Sequence, residues 1–240
     1  MDSGLTSSRF NTTNWTLIAG ASGNREDLEE LLRRYWSPVY AWLRRQGHQE
    51  ADAADLTQGF LGKIVEDHKL IDGADQTRGR FRAYLLTALR RFVIDRNRTQ
   101  GGRPDSSRPS FIPTDPDLLK QASPSEIDDP DQAFNRQWAT AVLEETVRRV
   151  KEDCQSKGQN RQWQAFDERV LRQIVYGNNS TPINSMIETL NAHDRQDVYS
   201  MIHTIKRKLI RTMREVVAET VKQPEDIETE LKNLRQFLNQ

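Results

Sequence analysis

The sequence predicts an all-α protein: two small helical domains joined by a proline-rich, acidic linker. Three observations carry this expectation. Apolar residues recur at helical spacing through most of the 240 residues, in a composition rich in Leu, Arg, Glu, Gln and Ala that favours helix over strand. Charged residues make up 29% against 35% hydrophobic ones, which is lean for one large core and suits small helical domains with much surface. Between the two helical stretches, residues 101–132 hold six of the nine prolines and two adjacent glycines. Proline removes backbone donors and restricts its predecessor, so this stretch resists both helix and strand.

Residues 1–25 read as an N-terminal extension. They lack the basic start and apolar core of a secretory signal. The first domain is expected over 26–100. In "NREDLEELLRRYW", Asn24 is a candidate N-cap, acids fill the first turn, and Leu28, Leu31, Leu32 and Tyr35 follow at helical spacing. Pro38 interrupts, and "SPVYAWLRRQG" starts a new helix that Gly47 ends. Trp36 and Trp42 fall on helical faces and are assigned to the core. In "EADAADLTQGFLGKIVEDHKL", Ala54, Phe60, Leu61, Ile64 and Val65 point inward, with Asp55 and Gln58 on another face. In "RGRFRAYLLTALRRFVIDRNR", Phe81, Leu85, Ala88, Leu89 and Phe92 form one stripe, and Ala83, Thr87, Arg90 and Arg91 face away.

The linker is placed at 101–134. From Pro104 to Gln132 it carries seven acids against two bases. The second domain, 135–215, opens with "WATAVLEETVRRVKEDC" and "RQWQAFDERVLRQIVYG". "TPINSMIETL" then has Thr181 as a cap and Pro182 at the first helical position. After the turn "NAHD" comes "RQDVYSMIHTIKRKLIRTMREVV". Its inward stripe is Val198, Met201, Ile202, Ile205, Leu209, Met213 and Val216. Gln196, Ser200, His203, Thr204, Arg207, Arg211 and Arg214 face out. Helix, short turn and a second helix with a basic outer face form the pattern of a helix-turn-helix. Residues 216–240 read as a C-terminal helical extension after Pro224. Its apolar edge is Ile227, Leu231, Leu234 and Leu238, for docking on the body or on a partner.

Formal net charge is zero, from 35 basic and 35 acidic residues, but the charges are segregated. From Gln76 to Arg103 there are eight arginines against one acid, Asp95. That acid sits one helical turn from Arg91 and from Arg98, which leaves most of the run without a local partner. A solvated basic face is the plain reading. The alternative is a nucleic-acid surface, because the planar guanidinium fork matches phosphate and base edges. A second basic run lies between Arg195 and Arg214, with six bases against one acid. On an entering helix, Arg195, Gln196, Tyr199 and Ser200 lie where base edges are reached, and Arg207 and Arg211 suit phosphates.

Other chemistries find no support. The single cysteine, Cys154, can form no internal disulfide and no Cys-x-x-Cys pair exists, which fits a reducing cytoplasm. The four histidines show no metal-ligand spacing, so neither a metal nor a cofactor is expected. No Gly-rich phosphate loop is present, and no residue set points to an enzyme. No apolar run approaches the ~20 residues needed to cross a bilayer. The expectation is a soluble, cytoplasmic protein without membrane insertion, nucleoid-associated when active.

Taken in order, the pieces resemble a known family. "DAADLTQGFLGKI", then "FRAYLLTALRRFVIDRNR", then a Pro-rich linker and a helix-turn-helix, resemble the sigma-70 family of bacterial transcription initiation factors. The likeness is greatest to the extracytoplasmic-function (ECF) class, which has only the domains called region 2 and region 4. It covers about residues 26–100 and 135–215. The combination of Asp52, Ala53, Asp55, Leu56, Gln58 and Phe60 with Phe81-Arg82-Ala83-Tyr84-Leu85 and Ile94-Asp95-Arg96 carries it. "FNTTNWTLIAGAS" and "YWSPVYAWLRRQG" look similar to a planctomycete-type ECF-like group.

The resemblance implies an RNA polymerase sigma factor that binds core polymerase, recognises the −35 and −10 promoter elements and melts DNA. Asp55, Gln58 and Phe60 would contact core polymerase. Arg78, Arg80, Arg82, Tyr84, Arg90, Arg91, Arg96 and Arg98 would hold the −10 element and its melted strand. Arg195, Gln196, Tyr199, Ser200, His203, Arg207 and Arg211 would read the −35 element. The partners implied are RNA polymerase core, promoter DNA and an anti-sigma factor or other regulatory protein. This chain has Tyr84 where the family often has Trp, Arg91 where it often has Asn, and Asn191 where the turn usually has Gly. A free-standing helix-turn-helix regulator binding duplex operators without polymerase is the alternative. A protein-binding scaffold is a third reading.

Overall fold

The structure is a computed structural model that describes residues 32–66, 81–99, 129–176, 181–221 and 223–238, without the side chains of 97–99, 175 and 176. The Asn24 cap, the N-terminal extension, the linker through residue 128, and Arg78 and Arg80 lie outside the described residues, as does the side chain of Arg98.

All regular structure among the described residues is helical, with no strand. The helices are α1 (Trp36–Arg45), α2 (Glu50–Glu66), α3 (Phe81–Thr99), α4 (Pro130–Ser156), α5, α6 (Ile183–Thr189), α7 (Arg195–Ala218) and α8 (Asp226–Leu238). Helix α5 runs through Asn160–Phe166, a π-helical stretch Asp167–Leu171 and Arg172–Tyr176. No described helix is long and apolar enough to cross a membrane.

The chain divides into two compact units. One gathers the described residues up to Ala141 and those from Val217 onward; the other is Val142–Val216. The tail from Val217 onward, which reads from sequence as a C-terminal helical extension, belongs with the first helices.

In the first unit, α1 starts after a turn at Arg34 and Tyr35, as the position of Pro38 requires. It buries eight of its ten residues, Trp36 to Leu43. Gly47 ends it with φ +92, its N–H donating to the Arg44 carbonyl and the His48 N–H to the Leu43 carbonyl. This is a Schellman cap, and the left-handed residue in it is the reason for glycine. Helix α2 turns Ala53, Leu56, Thr57, Phe60, Leu61, Ile64 and Val65 inward. Ala54, expected inside, is only half-buried, so the inward face is centred about one residue away. Helix α3 buries Phe81, Leu85, Leu89 and Phe92 and exposes Ala83, Thr87, Arg90 and Arg91, as its periodicity predicts. Tyr35 meets Phe81 edge-on at 5.1 Å and Phe134 at 6.4 Å, and Phe60 meets Phe92 at 5.5 Å.

Helix α4 begins at Pro130, inside the stretch read as linker. Its proline is the first helical residue, where a missing N–H costs nothing. From sequence alone Pro130 counts only as a breaker. Helix α8 buries Glu230 and Leu234 and sets Phe237 against Trp138 at 6.4 Å. Of the expected apolar edge, Leu234 is buried, Ile227 and Leu231 are half-buried and Leu238 is exposed. The inward line is Glu230, Leu234 and Phe237, rotated from that edge because a carboxylate takes an inward position.

In the second unit, Val150, Cys154, Ala165, Phe166, Met186, Leu190, Val198, Met201, Ile202 and Ile205 form one core. It joins the end of α4 to α5, α6 and α7. Pro182 is the N-cap of α6, not its first residue, and no side chain caps it. The Thr181 carbonyl instead accepts from Arg169 Nη1 at 3.3 Å.

Candidate nucleic-acid interface

The turn between α6 and α7 positions the second basic helix. Asn191 has φ +49; its N–H donates to the Glu188 carbonyl and the Ala192 N–H to the Ile187 carbonyl. That is a Schellman cap with asparagine in the left-handed position, which asparagine tolerates better than most side chains. Arg161 donates to the carbonyls of Leu190 at 2.8 Å and Asn191 at 2.7 Å, meeting the orphan acceptors at the end of α6. Helix α7 then starts on a reciprocal cap. Asp194 Oδ1 accepts from the Asp197 N–H at 2.8 Å, and Asp197 Oδ2 accepts from the His193 N–H at 3.2 Å. Both carboxylates sit at the positive end of the helix dipole.

From that start, α7 buries Val198, Met201, Ile202, Ile205 and Val216. It exposes Gln196, Tyr199, Ser200, His203, Thr204, Lys206, Arg207, Arg211 and Arg214. An open depression of about 390 Å³ is lined by Gln196, Tyr199, Ser200, Ile202, His203 and Lys206. Four residues expected to read DNA therefore share one patch. Arg195 is exposed and donates to Asn184 Oδ1 at 2.8 Å, tying it to α6. Arg211 lies 3.6 Å from Glu215 and is 65% exposed. Such a surface pair is worth little and is readily exchanged for a phosphate. Lys206 was not singled out from sequence, although its spacing from His203 places it on the same face.

One base of this run is not on the surface. Lys208 is 14% exposed and lies 2.5 Å from Asp153 Oδ2. It also bonds Gln159 Oε1 and approaches Cys154 Sγ at 3.7 Å. Burial pushes the Asp153 carboxyl up, but its bonds to Lys157 and Lys208 outweigh that and hold it below its ordinary value. Burial raises the Cys154 thiol, which leaves it protonated and unreactive.

The first basic helix is disposed differently. Arg82 is buried. Its Nε and Nη2 donate to the two carboxylate oxygens of Glu230 at 2.9 and 3.0 Å, and Nη1 bonds Asn135. Its guanidinium carbon lies 4.7 Å from the Trp138 ring centroid and 5.2 Å from that of Phe237. Asn233 also donates to Glu230, at 3.0 Å. Burial, and then the Glu230 charge, push the neighbouring Tyr35 hydroxyl well above its usual range. Arg90 pairs with Asp131, which also accepts from Trp42 Nε1 at 3.0 Å. Arg96 is half-buried beside α2, where a Cβ on Gly59 would lie 3.5 Å from its Nη1. Tyr84 is half-buried, 6.4 Å from Phe81. Among the described arginines of this helix, Arg90 and Arg91 are exposed.

Of the residues expected to meet core polymerase, Asp55 is exposed and Gln58 half-buried. Phe60 is 2% exposed and packs on Phe92, so it supports that surface from beneath. Glu230 and Asp131, the acids that hold Arg82 and Arg90, were not anticipated. Their sequence separations of 148 and 41 residues put them beyond any local rule. No group of His, Cys, Asp and Glu among the described residues could hold a metal ion.

No family model, curated protein or solved structure gives a significant match to this chain.

Proposed function

We propose that the protein is a promoter-specificity factor of the ECF sigma type, acting only when bound to RNA polymerase core and having no catalytic activity of its own. The observation that carries a DNA-binding role is the outer face of α7. Behind a tight, capped turn it presents Gln196, Tyr199, Ser200 and His203 in its first half and Arg207 and Arg211 in its second. In a major groove the first set meets base edges and the second meets phosphates. Exposed Asp55, beside half-buried Gln58, supports a polymerase contact on α2. Exposed Arg91 supports a strand contact on α3.

Arg78, Arg80 and Arg98 complete the −10 contact in this proposal. Opening a base step costs a few kcal/mol, which strand capture offsets. Co-sedimentation with core RNA polymerase tests the reading. A stable complex that Asp55→Lys weakens is expected, and no association would refute it. The pairing of Arg82 and Arg90 within the first unit favours a second reading, a duplex-binding regulator that needs only α7. Footprinting of an operator without polymerase would select it.

A further inference from the structure

Helix α8 is a lightly held element. It buries two of its thirteen residues, and one of those is the carboxylate of Glu230, whereas α1 buries eight of ten. Few buried apolar contacts mean a low free energy of local opening. The ion pair at its centre adds little, because desolvating both charges cancels much of their attraction. The segment before it, Gln223, Pro224 and Glu225, is exposed and turns, so α8 can leave without disturbing the Phe81 N–H bond to the Thr220 carbonyl at 3.0 Å.

What α8 covers is specific. The Glu230 carboxylate occupies a socket made by the Arg82 fork, with the Trp138 ring stacked on the guanidinium. A fork that grips two carboxylate oxygens grips two phosphate oxygens with the same geometry. An aromatic ring beside it offers a face on which a base can stack.

We infer that α8 is a displaceable cover: Glu230 occupies Arg82 in the resting chain, and a nucleic-acid strand that takes Arg82 displaces α8. This deepens the proposed function and rests on α3 being a nucleic-acid contact. Affinity for a single strand is then lowered by the fraction of molecules whose cover is closed.

Hydrogen exchange of the full wild-type chain, with and without a saturating single-stranded 20-nucleotide DNA of mixed sequence, tests this. Amides of residues 226–238 should exchange faster with DNA bound. In parallel, Glu230→Gln keeps an acceptor beside Arg82 but removes the charge. It should bind the same strand about three- to tenfold more tightly, by the rise in the open fraction. Adding Arg82→Gln should cancel that gain. Unchanged or slower exchange in α8 while the strand binds would overturn the inference and leave the DNA reading standing. Faster exchange with no gain in affinity for Glu230→Gln would overturn it too, since release would then not involve Arg82. If neither wild type nor Glu230→Gln binds the strand, the reading of α3 falls and the inference falls with it.

Discussion

Along α3, Arg82 lies in the carboxylate of Glu230 and Arg90 against Asp131. Along α7, Arg207 stands in solvent and Arg211 has only a loose partner one turn away. Both helices show as basic runs in the sequence. Among the described residues, five of the six bases of α7 are exposed, against two of the four arginines of α3. A local excess of base is therefore not yet a binding surface, because the chain can bring a distant acid to it. Where burial takes the pair out of water, the arginine becomes part of the packing.

The sharpest way to break this contrast is to truncate one arginine on each helix. Arg82→Ala leaves Glu230 without its cation and should release α8, so its cost is limited to what docking of that helix contributes, about 1–3 kcal/mol of unfolding free energy. Arg207→Ala should stay within about 0.5 kcal/mol. Urea denaturation followed by circular dichroism reads both, and equal effects would erase the distinction.

DNA binding should show the reverse order. Arg207→Ala with Arg211→Ala should lower affinity for duplex DNA about tenfold or more and reduce the slope of log K against log salt by about two. Anisotropy titrations at several salt concentrations measure this. An unchanged slope would take those residues off the phosphates.

Smaller effects test the scaffold of each unit. Asp194→Ala removes the cap of α7 and should cost about 1 kcal/mol, seen as a lower melting temperature of the second unit. The Asp153 carboxyl is held below its ordinary value of 3.8. Its contribution is therefore complete above that pH and disappears as pH falls through the lower folded value. An acid titration should show part of the stability loss below about pH 4 vanish in Asp153→Asn. The smallest change expected is a gain. Gly59 lies inside α2 with its nearest side-chain atoms at 3.5 and 3.8 Å from an added Cβ, so Gly59→Ala should stabilise by about 0.5–1 kcal/mol.

Periodicity made most of the fold legible. The inward stripes of α3 and α7 follow the 3.6-residue spacing of Phe81, Leu85 and Leu89 and of Val198, Ile202 and Ile205. Gly47 marked the end of α1, because a left-handed cap leaves a chemical trace. The positions that misled are those where tertiary pairing overrides a local rule. Arg82 looked like surface because charge normally is, and only Glu230, 148 residues away, brings it inside. Pro130 looked like a breaker because a first-turn proline and a loop proline read alike until the following helix is seen. The outer face of α7 was visible except for Lys206, which belongs to it, and the inward turn of Lys208. A lysine stem reaches a half-buried carboxylate as easily as water, and spacing does not tell the two apart.

The central claim, a factor that directs polymerase through the surface of α7, is tested most directly by run-off transcription with purified core RNA polymerase on genomic fragments. The wild-type chain should produce transcripts from a few defined start sites. Arg207→Glu with Arg211→Glu should abolish them while co-sedimentation with core is retained. Absence of any defined transcript, together with a footprint on duplex DNA that needs no polymerase, would contradict the account and leave a free-standing regulator in its place.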